Sequence, residues 1–423
     1  MRAHALAPDA RQDCTALRRA RGRGLGWTCL QEALRHHGAG DFARAQALYQ
    51  QVLAVHPQQP DALHLLGVCA LQQQQFERAH HLLAAAVRAN PGHADYHSNL
   101  GVVLRALGRE EEAAGAFRRA LTLAPEHVNA GYNLAIAQRN LGRLDQAVMS
   151  MRAALAREPR SAERHCDLAG LLLESGRFSE ALAACDACLA FAPTNALAMS
   201  YKSVALGQCG ADDAWLWAMD RAVRPCRIPV PAGWDGEDAL CDALARLVLD
   251  HPTLDVPRAR ATTHGRQTGE LLTRDDPRAL ALEALIHEAV SRYLQQLPVE
   301  PDHPWLARRP PRWSLTAWGV VLDDQGHQVP HAHPSGWVSG VLYVVLPGTI
   351  DAGDTAHAGW IEFGRPPDEI PLSVQPQVQL LAPERGMMVL FPSYLYHRTI
   401  PVRAAGPRIS IAFDARPIWQ QAR

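Results

Sequence analysis

The sequence predicts an α-solenoid of paired helices followed by an α+β domain built as a double-stranded β-helix, a jelly roll of the cupin type. Three observations predict it. Prolines recur every 34 residues, at Pro57, Pro91, Pro125, Pro159 and Pro193. The period stops after Gly210, and from Trp313 onward the apolar residues fall in short segments separated by Gly, Pro and Asp. A fixed period of 20–50 residues marks a stack of supersecondary units, whereas many short β-rich segments mark a sandwich or barrel.

The repeat is legible residue by residue. Ala45, Ala79, Ala113, Ala147 and Ala181 lie twelve residues before the prolines, where two helices approach too closely for a larger side chain. Gly40, Gly108, Gly142 and Gly176 fall where the first helix of each pair must turn into the second, and Gly67, Gly101, Ala135 and Ala169 fill a small position inside the first helix. Tyr49, Leu83, Phe117 and Met151 occupy the large core slot of the second helix. This is the tetratricopeptide pattern. Five repeats span about Leu25 to Asn195, and Ala196 to Gly210 reads as a capping helix. Cys185 and Cys188 form a CxxC, but they take the positions of Tyr49 and Val52 and read as core. His97, Asn99, Tyr132, Asn133, Arg139, His165 and Asp167 are expected to line a concave face that binds a peptide or protein segment.

Composition narrows the setting. The 423 residues carry 42 basic and 43 acidic side chains, so no net field recruits nucleic acid or an anionic membrane. No apolar run approaches the ~20 residues of a membrane span. Nine scattered cysteines, none after Cys241, do not form a disulfide framework and point to a reducing, cytoplasmic setting. Residues 1–24 lack the apolar core of a secretory signal and read as a disordered tail. The expected organisation is that tail, the repeat array over 25–215, a Pro-rich linker over 216–235, and the β domain with its leading helices over 236–420. Those helices are expected at Asp238–Leu249 and Pro277–Leu297. The strands are expected at Trp313–Leu322, Val338–Leu346, Trp360–Phe363, Val378–Leu381, Met387–Phe391 and Arg408–Asp414.

The chemistry lies within the strands. His331 and His333 in Pro330-His-Ala-His-Pro334 are two residues apart, hence on one face of a strand, and His397 follows 66 residues after His331. Such a pair with one distant histidine can hold a facial iron site with open positions for substrate and dioxygen. Arg408 and Ser410 again share one strand face. An arginine inside a barrel needs an anion, and the distal carboxylate of 2-oxoglutarate supplies one while its other end chelates iron. His264, His327 and His357 lack such partners, and Glu362, Arg365 and Arg398 are polar groups near the expected mouth with no role assigned.

Three stretches carry a resemblance: His331-Ala-His-Pro-Ser-Gly-Trp-Val-Ser-Gly-Val-Leu-Tyr343, Gly386-Met-Met-Val-Leu-Phe-Pro-Ser-Tyr-Leu-Tyr-His397 and Arg408-Ile-Ser-Ile-Ala-Phe-Asp414. They resemble bacterial and phage 2-oxoglutarate/Fe(II) oxygenases found behind tetratricopeptide arrays. Thr263–Thr268 and His303–Trp305 are similar to segments upstream of that barrel, so the likeness covers roughly Gly233 to Pro417. Aspartyl/asparaginyl β-hydroxylases are a more distant likeness. The resemblance implies Fe(II) on His331 and His397, 2-oxoglutarate on Arg408 with Ser410, Tyr343 and Ser339 assisting, and O2 as oxidant. The usual pattern is His-x-Asp or His-x-Glu, and here the third position is His333. Either three histidines bind the metal, or His333 lies beside it and water fills the place. Asp351 or Asp354 is a further option, though both read more simply as turn residues. A third imidazole in place of the carboxylate is expected to leave the centre one unit more positive.

The function expected is a dioxygenase hydroxylating a C–H bond of a peptide or protein recruited by the array. The alternative is a non-catalytic scaffold whose barrel only binds or senses, for which His333 in the carboxylate position is the sequence support.

Overall fold

The computed structural model describes residues 24–210, 219–256, 261–301, 303–350, 353–403 and 406–419, with side chains from 28 onward. The tail expected over 1–24, except Gly24, the first residues of the expected linker and Asp351 lie outside the described residues. The chain divides between Arg164 and His165 into two compact units. That division falls inside the repeat array, about 50 residues before the boundary expected from the sequence.

Five helix pairs follow one another: α1 (Gly24–Gly38) and α2 (Phe42–Val55), α3 (Pro60–Gln72) and α4 (Phe76–Ala89), α5 (Ala94–Ala106) and α6 (Glu110–Leu123), α7 (Val128–Asn140) and α8 (Leu144–Leu155), α9 (Ala162–Glu174) and α10 (Phe178–Phe191). The cap α11 (Ala196–Cys209) completes them. The five alanines of the repeat are fully buried, as are Tyr49, Leu83, Phe117 and Met151. The small positions are sterically required: a Cβ on Gly67 would stand 2.8 Å from Leu83, and one on Gly101 2.6 Å from Phe117. The turn after each first helix is left-handed at Gly40, Gly108, Gly142, Gly176 and Gly210, and in the second repeat the same place is taken by Gln74, with φ of 58°.

Of the seven polar residues expected on the array's concave face, Arg139, His165 and Asp167 are half-buried and the other four are covered. His97, Asn99, Tyr132 and Asn133 are buried between helices and do not line an open face. His97 Nε2 bonds the Pro91 carbonyl, Asn99 Nδ2 reaches His64 Nε2, and Asn133 accepts from Arg105. Asn99 and Asn133 thus reach neighbouring helices and His97 the turn ahead of its own, so each buried polar group is satisfied. Cys185 and Cys188 are fully buried core residues, and no disulfide joins any of the described cysteines.

The second unit adds α12 (Met219–Ala222), β1 (Arg224–Arg227), α13 (Glu237–Leu249), β2 (Thr262–Gln267), α14 (Pro277–Gln296), β3 (Arg312–His331), β4 (Val338–Val345), β5 (Ile361–Phe363), β6 (Gln379–Leu381), β7 (Met387–Pro392), β8 (His397–Thr399) and β9 (Arg408–Ile418). They form one curled antiparallel sheet in the order β1-β7-β4-β9-β3-β8-β5-β6, with β2 paired to β3. The stretch read as a linker thus supplies the edge strand β1. Leu240, Leu244 and Val248 of α13 and Leu282, Ile286 and Val290 of α14 belong to the same core as the strands, and so do Ala196, Met199 and Leu206 of α11. Ser200 on α11 donates a 2.7 Å hydrogen bond to the Tyr394 carbonyl. No helix among the described residues is long and apolar enough to cross a membrane.

Candidate metal centre

Three strand ends carry the site. β3 pairs with β8 so that His331 stands opposite His397, and the chain turns immediately after His331. His333 therefore lies just past the strand, with its backbone N–H held by the Ser393 carbonyl at 2.9 Å. The i, i+2 spacing still brings the rings together. Ring centroids are 4.3 Å apart for His331 and His397, 5.0 Å for His333 and His397, and 5.2 Å for His331 and His333. One ligating nitrogen from each lies within 4.8 Å of the others.

The hydrogen bonds decide which nitrogen. Nδ1 of His331 faces the Val329 carbonyl at 2.8 Å, Nδ1 of His397 the Leu395 carbonyl at 3.1 Å, and Nδ1 of His333 the Asp414 Oδ1 at 2.5 Å. An acceptor at each Nδ1 makes that nitrogen the N–H donor and leaves the Nε2 lone pair free. Burial, with His333 adjacent, lowers His331 to about 4, and burial with His331 and His333 beside it drives His397 well below its ordinary value. Both rings are thus neutral near pH 7, as a metal ligand requires.

Asp414 is the residue the sequence reading missed. It is buried, accepts from Ser339 Oγ at 2.6 Å as well as from His333, and Ser339 in turn meets Ser393 Oγ at 2.8 Å. Burial raises its pKa, but His333 and the hydrogen bonds from His333 and Ser339 outweigh that, so the net direction is downward. A signal existed: Arg408, Ser410, Ala412 and Asp414 occupy alternate positions of one strand and so share a face. The acceptor for His333, which the sequence did not reveal, is this carboxylate.

Arg408, Ser410 and Tyr343 come together on the same cavity wall as the histidines, around a tight space of about 20 Å³. Arg408 is 1% exposed, donates from Nε to the Gly359 carbonyl at 3.1 Å and from Nη1 to Ser410 Oγ at 3.3 Å, and lies with Cζ 4.9 Å from the Tyr343 ring centroid. No carboxylate pairs with it among the described residues. Burial pulls the guanidinium below its ordinary value. Among the described residues the buried Tyr343 hydroxyl has no partner at hydrogen-bond geometry, and burial raises it to about 12 against the pull of the adjacent Arg408 charge and its N–H groups. An unpaired buried cation beside an orphaned hydroxyl fits an incoming carboxylate. The three free Nε2 atoms likewise fit a divalent transition metal.

Ser339 is not on this wall; it turns to Asp414 behind His333. Trp318, Gln328 and Thr399, which the sequence reading did not single out, do line the cavity. Glu362 and Arg398 face the other side of the sheet from His397, since Phe363 is the partner of His397 and Glu362 that of Arg398. Glu362 is buried between Arg365 Nε at 2.8 Å and Arg398 Nε at 2.5 Å. Asp354 caps a turn, accepting from the Ala356 and Ala358 N–H groups, and is no part of the histidine group.

Residues 316–414 match the model of a family described as "Putative 2OG-Fe(II) oxygenase". Residues 36–100, 94–127 and 132–196 match tetratricopeptide-repeat models. No curated protein matches the chain. Among solved structures, MamA is 20% identical, covering 39% of this chain and 91% of its own, with a TM-score of 0.37. YrrB, titled a TPR protein with an unusual peptide-binding site, is 21% identical over 46% of this chain and 98% of its own, with a TM-score of 0.38. TTC0263, a thermophilic TPR protein of Thermus thermophilus, is 26% identical over 43% and 98%, with a TM-score of 0.35. Residues 316–414 therefore form a domain of the 2OG-Fe(II) oxygenase family, preceded in the same chain by tetratricopeptide repeats.

Proposed function

We propose that this chain is an Fe(II)- and 2-oxoglutarate-dependent dioxygenase, its curled sheet serving as a double-stranded β-helix, that hydroxylates a C–H bond of a peptide or protein side chain. The observation that carries the reading is a single cavity with two features. It holds three imidazoles whose Nδ1 atoms are all tied back, and a buried arginine with no carboxylate partner among the described residues. His331, His333 and His397 would hold Fe(II), which with 2-oxoglutarate and O2 supplies the oxidation of an unactivated C–H bond.

The protein's share is binding and orientation. Arg408 offers its free donors to the distal carboxylate of 2-oxoglutarate, and Ser410 and the Tyr343 hydroxyl complete the shell. The carbonyls of Val329 and Leu395 and the Asp414 carboxylate keep each Nε2 unprotonated and aimed inward. Phe391, packed 4.7 Å from the His397 ring, and Ile361 and Val341 form an apolar wall that keeps bulk water from the reacting atoms. Tetratricopeptide arrays stack into grooves that take extended or helical peptides, which supports a polypeptide substrate. The lack of disulfides among the described cysteines supports a reducing, cytoplasmic setting. The scaffold reading rests on His333 replacing a carboxylate, and Asp414 behind His333 supports the enzyme reading over it.

The test is anaerobic loading with Fe(II), then 2-oxoglutarate and air, with succinate as the readout. Substrate-independent succinate formation that disappears in His397→Ala is expected. A folded protein that binds Fe(II) and 2-oxoglutarate yet forms no succinate, alone or with peptide libraries, would overturn the enzyme reading.

A further inference from the structure

The three histidines are not equivalent. His331 and His397 donate from Nδ1 to neutral main-chain carbonyls two residues back, whereas His333 donates to a carboxylate. That carboxylate is 6% exposed, held by Ser339, and 2.5 Å from the ring. No Asp or Glu joins the histidines in the metal-sized group among the described residues. His333 stands where the two-histidine, one-carboxylate facial pattern has its acid.

We propose that Asp414 is the displaced carboxylate of this centre: a positioning residue that delivers its negative charge to the metal through the imidazole of His333. The inference rests on reading the three histidines as one metal site. On this proposal the extra positive charge expected from a third imidazole is offset. Two neutral imidazoles plus a His333–Asp414 pair bring one negative charge to the centre, the same count as two imidazoles plus a directly bound carboxylate. A hydrogen-bonded carboxylate fixes the tautomer and raises the basicity of the ligand it touches. The turn after His331 serves the same end, because the His333 N–H is held by Ser393 and its carbonyl accepts from Gly336 N–H at 3.0 Å, so the backbone that carries the ring is fixed on both sides.

The proposal predicts non-additive charge exchange between positions 333 and 414. The probe is Co(II) alone, titrated anaerobically into the full chain, with the dissociation constant and the ligand-field absorption read together. Asp414→Asn and Asp414→Ala should weaken Co(II) by about 10–100-fold and shift the absorption. His333→Asp should bind no better than His333→Asn, because the new carboxylate would face Asp414. The double variant His333→Asp with Asp414→Asn should recover to within about tenfold of wild type, since one carboxylate again serves the metal. Apo-protein Tm values report whether Asp414 variants fold; the comparison of the two His333 variants leaves Asp414 intact and decides the matter if they do not. Unchanged affinity and spectrum in Asp414→Asn, or wild-type binding in His333→Asp, would overturn the role of Asp414 and leave the metal site standing. A folded wild type that binds no Co(II) would overturn both.

Discussion

Arg408 and Asp414 project from one face of β9, six residues apart, opposite Leu322 and Thr316 of β3. At about 3.3 Å per residue their Cα atoms are separated by roughly 20 Å. The buried cation stands at one end of the row and the buried anion at the other, with Ser410 and Ala412 between them on the cavity wall. On the proposed reading, an anionic cosubstrate drawn to Arg408 would be kept from the negative charge of Asp414, with His333 in front of it.

The first prediction concerns Arg408. Removing one partner of a desolvated charge pair costs about 2–5 kcal/mol, so Arg408→Ala should weaken 2-oxoglutarate by at least tenfold in calorimetry. Arg408→Lys should recover only part, because a point charge cannot reproduce the planar fork. Wild-type affinity in Arg408→Ala would place the carboxylate elsewhere.

Tyr343→Phe should separate stability from binding. The hydroxyl is buried without a partner, so its removal should leave Tm unchanged or raise it, by about 1 kcal/mol of stability or less. The same change should weaken 2-oxoglutarate by roughly three- to tenfold, the worth of one hydrogen bond. A fall in Tm with unchanged binding would show that the hydroxyl serves the fold alone.

Much of this was legible in the sequence, and the gaps have physical causes. A 34-residue period repeats the same packing demand five times, so Ala113 or Gly108 could be placed without a structure. The histidines and Arg408 were legible because strand alternation fixes which side chains share a face. β1 was not, since Arg-Pro-Cys-Arg has no alternation and an edge strand needs none. The second half of β3, with Asp323, Asp324 and Gly326, was hidden the same way. Asp414 escaped because its role is set by a loop residue 81 positions earlier. The burial of His97 and Asn99 was not legible because periodicity tells which helix carries them, not whether the next helix covers them.

Gln74 adopts the left-handed turn that glycine fills in the other repeats. A side chain there is strained by roughly 1–2 kcal/mol, partly offset by the entropy glycine loses on folding. Gln74→Gly should therefore stabilise the array by about 0.5–1 kcal/mol in denaturant unfolding. A loss of stability would mean that the Gln74 side chain contributes more than its backbone costs.

His64 should give the array an acid-sensitive stability. Burial lowers its pKa to about 4 from an unfolded value near 6.5, and its Nε2 accepts from Asn99 at 2.7 Å. Between those values the unfolded chain binds the proton and the folded one does not, so the contribution is complete above pH 6.5 and is lost as pH falls toward 4. Stability measured from pH 7 to 4 should fall in wild type and fall less steeply in His64→Gln, whatever that variant costs at pH 7. Equal slopes would assign the acid sensitivity to other groups.

The last prediction places the boundary of the sheet unit. Ala196, Met199 and Leu206 of α11 belong to the same core as Leu244 and Phe413, and Leu182 and Leu189 of α10 pack against it. Ser200 closes the contact through the Tyr394 carbonyl, and Gln208 bonds Val374 and Ser373 in the segment between β5 and β6. Stripping α11 would expose this apolar surface and leave the Tyr394 carbonyl without its donor, at about 2–5 kcal/mol for each large buried side chain lost. A domain stable by about 5–15 kcal/mol cannot absorb several such losses. A chain beginning at Arg160, just ahead of α9, should therefore remain folded and bind Co(II) as the full chain does, whereas one beginning at Ala211 should aggregate or melt well below it. Equal Tm values for the two truncations would show that α10 and α11 are accessory to the sheet and that the repeat array ends where its period does.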